Sequence, residues 1–282
     1  MRFAVPALRL LPRNLLSRAI GRLAGARLPH AIVRAEILLF ARAVGVDLRE
    51  VRDPLEAFGS LQDFFTRALR EGARTVDPAR DALVSPCDGA FGESGIVRGG
   101  LLLQLKGRTY GLRELLGSGE DAAAFEGGAY ATLYLSPRDY HRFHAPIAAR
   151  VERLTYLPGT LWPVNRIGLE GVDGLFAQNE RICAFMRQDP SDALLCLVAV
   201  GATLVGKVRV SFDSLQTNQR GAREERRSYP GGIALAKGQE WGRFEFGSTL
   251  VLLAQPGKIE LEARPPGSPV RLGERIGRLL PS

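Results

Sequence analysis

The sequence predicts an α+β protein, with N-terminal helices followed by a β-rich, mainly antiparallel domain that carries the candidate catalytic residues. Three observations predict it. Apolar residues recur at helical spacing through residues 1–71. From about Ala82 onward, short β-type runs are separated by glycine and proline turns. The side chains with reactive chemistry fall in three islands, all in that second part.

In the helical part, Asn14 is a suitable N-cap for a helix that Pro12 keeps from starting earlier. At about 100° per residue, Leu15, Leu16, Ala19, Ile20 and Leu23 share one arc, with Ser17, Arg18 and Arg22 outside it. A second helix is expected over 31–44, ending near Gly45, and a third over 54–71, through Phe58, Phe64, Phe65 and Leu69. Strands are expected over 130–135, 150–157, 181–186, 194–200, 204–212, 250–254 and 258–262, with one helical patch over 112–116. The polar, arginine-rich stretch 216–227 reads as an exposed or mobile loop. These boundaries divide the chain into a helical, basic, membrane-associating segment, 1–71, and a β-rich domain, 72–282.

Composition narrows the class. A chain of 282 residues that is 45% hydrophobic can bury a sizeable core. Cys87, Cys183 and Cys196 are too few and too scattered for a disulfide framework or a zinc pattern, and read as core residues. The net charge of +8 admits nucleic acid or an anionic membrane as partner. Only 7% of residues are aromatic and no nucleic-acid motif is present, so the membrane is preferred and no nucleic acid is expected. Residues 1–35 hold seven arginines and no acidic side chain. A cationic polar face beside a leucine-rich face describes an interfacial helix, and equally a helix packed on its own core with solvated arginines. No run reaches the roughly 18 apolar residues a crossing needs, and arginines interrupt every candidate secretory signal.

The islands are Ser85-Pro86-Cys87-Asp88-Gly89, Asp139-Tyr140-His141-Arg142-Phe143-His144-Ala145-Pro146 and Trp241-Gly242-Arg243-Phe244-Glu245-Phe246-Gly247-Ser248-Thr249. A serine hydroxyl becomes a nucleophile when a base takes its proton and a third group orients that base. Asp88, His144 and Ser248 can fill those roles. Singly, each island has a plain reading: an ordinary turn, two histidines at i and i+3 with no third metal ligand beside them, and a Gly-Ser at a strand entrance. No metal is expected.

Together, and in this order, the islands resemble the pyruvoyl-dependent, self-cleaving phosphatidylserine decarboxylases. Further matches are Leu157-Pro158-Gly159, Val164-Asn165, Leu175-Phe176-Ala177 with Asn179-Glu180-Arg181, and Val200-Gly201-Ala202-Thr203 with Val205-Gly206. Leu11-Pro12-Arg13-Asn14 with Leu16-Ser17-Arg18 looks like the family's N-terminal segment. One departure is Phe246, where the family's cleavage motif has leucine.

The resemblance implies that His144, oriented by Asp88, activates Ser248 to attack the carbonyl of Gly247. The chain would then be cut between 247 and 248, turning Ser248 into a covalent pyruvoyl cofactor. That group would form a Schiff base with phosphatidylserine and yield phosphatidylethanolamine. His141 would serve as the acid or place the carboxylate, with His144 as its rival. It further implies a heterodimer of 1–247 and 248–282, higher oligomers left open, peripheral on the cytoplasmic side of the cell membrane. Two other readings stay open from the residues alone. One is a serine hydrolase using Asp88, His144 and Ser248. The other is a non-enzymatic basic membrane-binding protein.

Overall fold

The computed structural model describes residues 13–104, 108–189, 191–203, 207–245 and 248–281; for residues 13, 14, 16, 166, 167 and 248 it describes the backbone alone. Helix α1 spans Arg13–Ala24 and α2 spans His30–Val44. Gly45, at φ 84°, ends α2 in the left-handed conformation that glycine adopts without a Cβ penalty. Val33, Ile37 and Ala41 turn one face of α2 onto Val51, Phe58 and Phe64. The single helix expected over 54–71 is instead a 3₁₀ turn, Leu55–Ala57, and a short α3, Leu61–Phe65. Gly59 breaks the run, and Ser60 restarts it by accepting the Asp63 amide on its hydroxyl.

The β-rich part begins at β1, Ala82–Val84, followed by β2, Gly89–Ile96, and the hairpin β3, Leu101–Leu103, with β4, Thr109–Gly111. Helices α4, Leu112–Leu116, and α5, Gly119–Ala123, lead to β5, Ala129–Leu135. Next come β6, Arg142–His144, and β7, Ala149–Leu157; helices α6, Arg166–Gly171, and α7, Leu175–Gln178; and β8, Arg181–Gln188. The rest is β9, Leu194–Val200; β10, Val208–Val210; β11, Glu225–Leu235; β12, Glu240–Phe244; β13, Ser248–Ala254; β14, Ile259–Leu261; β15, Pro269–Val270; and β16, Arg275–Leu279. The α+β reading therefore holds, with antiparallel pairing throughout the named strands.

An eight-stranded sheet in the order β11-β7-β8-β9-β13-β5-β2-β15 forms the frame. Strand β13 lies inside it, paired with β5 on one side and β9 on the other. Side chains alternate across a sheet, so β13 serves two cores. Leu250, Leu252 and Ala254 join Phe143, Trp241 and Phe244 of the small sheet β10-β12-β6. Val251 and Leu253 join Leu112, Leu115, Leu175 and Phe176 on the opposite face. All three cysteines are buried in these cores.

Two further expectations are corrected. Of 204–212, the described part is a strand only over β10; residues 204–206 lie outside the described residues, and 211–214 bend away. The stretch 216–227 is not wholly exposed. Thr217 and Asn218 are buried, the Asn218 amide donating to the Glu180 carboxylate, and Glu225–Arg227 open β11, the edge strand. An edge strand has one paired side, so its sequence can be as polar as a loop.

Candidate active site

Backbone pairing brings the three islands together. The amide of His144 donates to the Pro86 carbonyl at 2.7 Å, which sets the Asp88 turn beside β6. Strand β6 pairs with β12, and the Phe244 amide donates to the His141 carbonyl at 2.9 Å. Beyond Phe244 the chain leaves the small sheet for the large one, where Ser248 opens β13 opposite Leu135. Gly247 lies outside the described residues, as does Phe246, and Ser248 is placed by its backbone. The junction between 247 and 248 thus falls where the chain passes from one sheet to the other, three residues beyond the strand paired to the histidines.

Both histidines are buried, and each gives its Nδ1 to a backbone carbonyl. His144 Nδ1 lies 2.9 Å from the Gly238 oxygen, and His141 Nδ1 lies 2.8 Å from the Asp139 oxygen. A carbonyl can only accept, so both rings are assigned the Nδ1–H tautomer, which leaves Nε2 with a lone pair. Neither Nε2 has a partner among the described residues. Burial is the main cause that lowers both pKa values, that of His141 to about 3. Both are therefore neutral near pH 7, each with a lone pair on Nε2.

Asp88 is placed differently from the expectation that it orients His144. Its carboxylate accepts from Arg74 Nε at 2.8 and 3.0 Å and from the Leu272 amide at 2.8 Å. The contact that fixes the His144 tautomer comes from Gly238 instead. Asp88 still acts on His144 through space, its charge favouring the imidazolium that proton transfer would create. Gly89, which follows it, has φ 153°, and a Cβ there would lie 2.2 Å from the Tyr134 oxygen. Only glycine lets this turn close against β5.

The Asp88–Arg74 pair is nearly sealed from solvent, with side chains 8% and 10% exposed. Breaking such a pair by removing one charge costs about 3 to 5 kcal/mol. Asp88→Asn is expected to lose about that much, read by chemical unfolding; a loss under 1 kcal/mol would show the pair to be solvent-screened.

The buried histidines also predict acid sensitivity. Their folded pKa values lie below the ordinary value near 6.5, so the unfolded chain gains protons first as the pH falls. Stability present above pH 6.5 is lost as the pH falls below it, for His141 down to about 3. For His141 alone the loss by pH 5 is about 2 kcal/mol, at about 1.4 kcal/mol per pH unit. Unfolding the uncut Ser248→Ala chain at pH 7.5 and pH 5, with and without His141→Gln, checks this. The glutamine variant should lose about 2 kcal/mol less, and an equal loss would refute it.

Sequence reasoning missed several of these groups. Arg74, Gly238 and the ring of Phe65, 4.1 Å from that of His141, come from elsewhere in the chain. It also missed two adjoining cavities. One, of about 350 Å³, is lined by Thr132, Thr249, Gln104 and Phe176, together with Tyr134, Val164 and Asn165. The second, of about 410 Å³, shares those last three and reaches Phe40 and Val44 of α2. A largely apolar path therefore runs from α2 to the residue after Ser248.

The chain is similar to known enzymes over nearly its whole length. The chain is 47% identical over 98% of its length to a phosphatidylserine decarboxylase proenzyme of Anaeromyxobacter sp. (strain K), covering 98% of that protein. It is 39% identical over 89% of its length to the proenzyme of Brevibacillus brevis, covering 88% of it. To that of Myxococcus xanthus it is 37% identical over 96% of both chains. The sequence profile of the phosphatidylserine decarboxylases matches residues 61–278, and the chain belongs to that enzyme family.

Proposed function

We propose that the protein converts phosphatidylserine to phosphatidylethanolamine, after cutting itself between Gly247 and Ser248. The observation that carries the reading is the pair of neutral histidines, their Nε2 atoms unpartnered among the described residues, His144 on β6 and His141 just before it, beside the strand β12 that leads to the 247–248 junction. His144 takes the Ser248 hydroxyl proton on Nε2, and the hydroxyl oxygen attacks the Gly247 carbonyl. The peptide bond becomes an ester and the nitrogen of Ser248 is freed. Loss of the Cα proton expels residues 1–247 as a carboxylate, and water replaces the nitrogen of the resulting dehydroalanine, releasing ammonia and leaving a pyruvoyl group.

The surroundings fit such a group. Residue 248 opens a strand held on both sides, and the next side chain, Thr249, lines the 350 Å³ cavity with a buried hydroxyl that has no partner among the described residues. The group would act as an electron sink for the carbon that loses carbon dioxide. His141 supplies the proton traffic. As a neutral acceptor it takes a proton on Nε2 from the headgroup ammonium, which must be uncharged to attack a carbonyl, and it returns that proton to the carbon afterwards. A lone pair on Nε2 would repel a carboxylate, which makes the ammonium its better partner. Carbon dioxide release from phosphatidylserine vesicles, abolished by phenylhydrazine, tests the reading. Turnover that a carbonyl reagent leaves intact would overturn it.

The cut pieces stay together as a heterodimer. The piece 248–282 contributes β13 to the interior of the large sheet, β15 to β2 and β16 to β1. Burying Leu250, Val251, Leu252 and Leu253 alone contributes about 6 to 12 kcal/mol.

In this reading helix α1 faces the membrane. It turns Ser17, fully buried, toward the protein and leaves Leu15 56% and Leu23 74% exposed. On α2, Ile32 and Leu39 are exposed as well, Leu39 by 72%. Apolar side chains beside arginines favour an interface with anionic lipid over packing on the protein's own core. Among the described residues no helix is long and apolar enough to cross a membrane. We place the enzyme peripherally on the cytoplasmic side of the cell membrane, held by a segment, 1–71, that serves the catalytic domain, 72–282. Each basic residue near the lipid adds about 1 kcal/mol, screened by salt, whereas apolar insertion is not. Replacing Leu15, Leu23, Ile32 and Leu39 with serine should weaken liposome co-sedimentation at every salt concentration while leaving the chain able to cut itself. Equal binding by both proteins across the salt series would contradict this placement.

A further inference from the structure

We propose that Arg67 is a positioning residue for His141: its hold on the Arg138 and Asp139 carbonyls fixes the imidazole as the Nδ1–H tautomer and keeps Nε2 the proton acceptor. The proposal rests on the reading of His141 as the proton carrier in decarboxylation.

Arg67 is unusual for an arginine. It is 4% exposed and has no carboxylate within ion-pair distance among the described residues. The two acidic groups whose charges act on it most, Asp88 and Asp139, are engaged elsewhere, with Arg74 and with the amide and hydroxyl of Ser136. Its Nη2 donates to the Arg138 carbonyl at 3.0 Å and to the Asp139 carbonyl at 3.2 Å. The second of these is the carbonyl that accepts His141 Nδ1–H. One oxygen therefore receives both the guanidinium and the imidazole. Nε and Nη1 of Arg67 have no hydrogen-bond partner among the described residues; the guanidinium also stacks over the Phe64 ring, 5.2 Å away, and lines a polar cavity with Glu50, Asp88 and Asp139.

Two consequences follow. The guanidinium fixes the orientation of the Asp139 peptide, and that peptide decides which ring nitrogen of His141 carries the proton. The positive charge also opposes a second proton on the ring, reinforcing burial. Asp139, whose carbonyl accepts from Nδ1, works the other way, while Asp88, Glu50 and Tyr140 act on Arg67 and favour its charged form. Neighbours of Arg67 complete the hold: the Phe65 ring lies against His141, and the Thr66 carbonyl accepts Arg142 Nε at 2.9 Å.

Ring ¹⁵N NMR on the full chain tests the positioning directly, since the protein has only three histidines, assignable with His30 and His144 variants. In the wild type, His141 should carry its proton on Nδ1 from pH 5 to 8; a proton on Nε2 would overturn the proposal without any variant. Arg67→Met should mix the two tautomers and raise the pH at which the ring titrates. Its kcat should fall about tenfold to a hundredfold, the range seen when an orienting partner is removed. KM should hold and the acidic limb of the kcat profile should move to higher pH. Arg67→Lys, which keeps the charge and loses the planar fork, should restore the limb and only part of kcat. Arg49→Met, at an exposed arginine, is the control. A fixed tautomer and an unshifted profile in both Arg67 variants would overturn the proposal. If the tautomer mixes in Arg67→Met but His141→Ala decarboxylates normally, the positioning stands and the proton-carrier reading fails.

Discussion

His144→Ala should leave the chain uncut, and Ser248→Ala should do the same. In a serine-base pair the residues act as a unit, so removing either costs on the order of 10⁴-fold or more. At that size, cleavage that proceeds at a convenient rate in the wild type falls below detection over days. The structure gives His144 its part through two contacts, its backbone amide to the Pro86 carbonyl, which both variants keep, and Nδ1 to the Gly238 carbonyl, which His144→Ala removes. His144→Gln separates geometry from basicity, since it can keep a donor toward Gly238 and still lacks a basic Nε2. Denaturing gels of freshly purified protein decide the matter. Normal cutting by His144→Ala, with His141→Ala left whole, would mean the two histidines have exchanged roles.

The second large effect is a separation of the two reactions. His141→Ala should cut at 247–248 yet lose decarboxylation by about 10² to 10⁴-fold, the range a positioned proton-transfer group supplies. The reason is spatial. The His141 carbonyl bonds the Phe244 amide on the approach to the junction, and a backbone contact survives the substitution. The ring's own contacts are with the Asp139 carbonyl and the Phe65 ring. Carbon dioxide release is measured on protein already shown to be in two pieces. Full activity in the cut variant would remove His141 from the chemistry.

Much of this was legible in the sequence because the forces involved leave periodic or compositional marks. The buried runs 194–200 and 250–254 announce strands because both faces of the central sheet are covered, leaving no room for polar residues. Helix α4 falls where its leucines place it, over 112–116. Strand β2, Gly89–Ile96, carries three glycines and one aromatic, and nothing in that text marks a strand. Edge strand β11 hides behind arginines for the reason given above. At the site, the reactive side chains were readable because few residue types do their chemistry. Their partners were not. The group that fixes the His144 tautomer is a backbone oxygen 94 residues away, and a carbonyl has no residue signature. Nothing in the sequence marks Arg67 or Arg74, since burial of an arginine depends on contacts across the chain.

Intact-chain mass spectrometry of the purified, active enzyme bears most directly on self-cleavage. It should show two polypeptides, 1–247 and 248–282, that elute together under native conditions and part under denaturation. The shorter should resist amine labelling and weigh one ammonia less than a peptide beginning with serine. A single chain of 282 residues in a preparation that decarboxylates phosphatidylserine, or a short piece with a free serine amine, would contradict it.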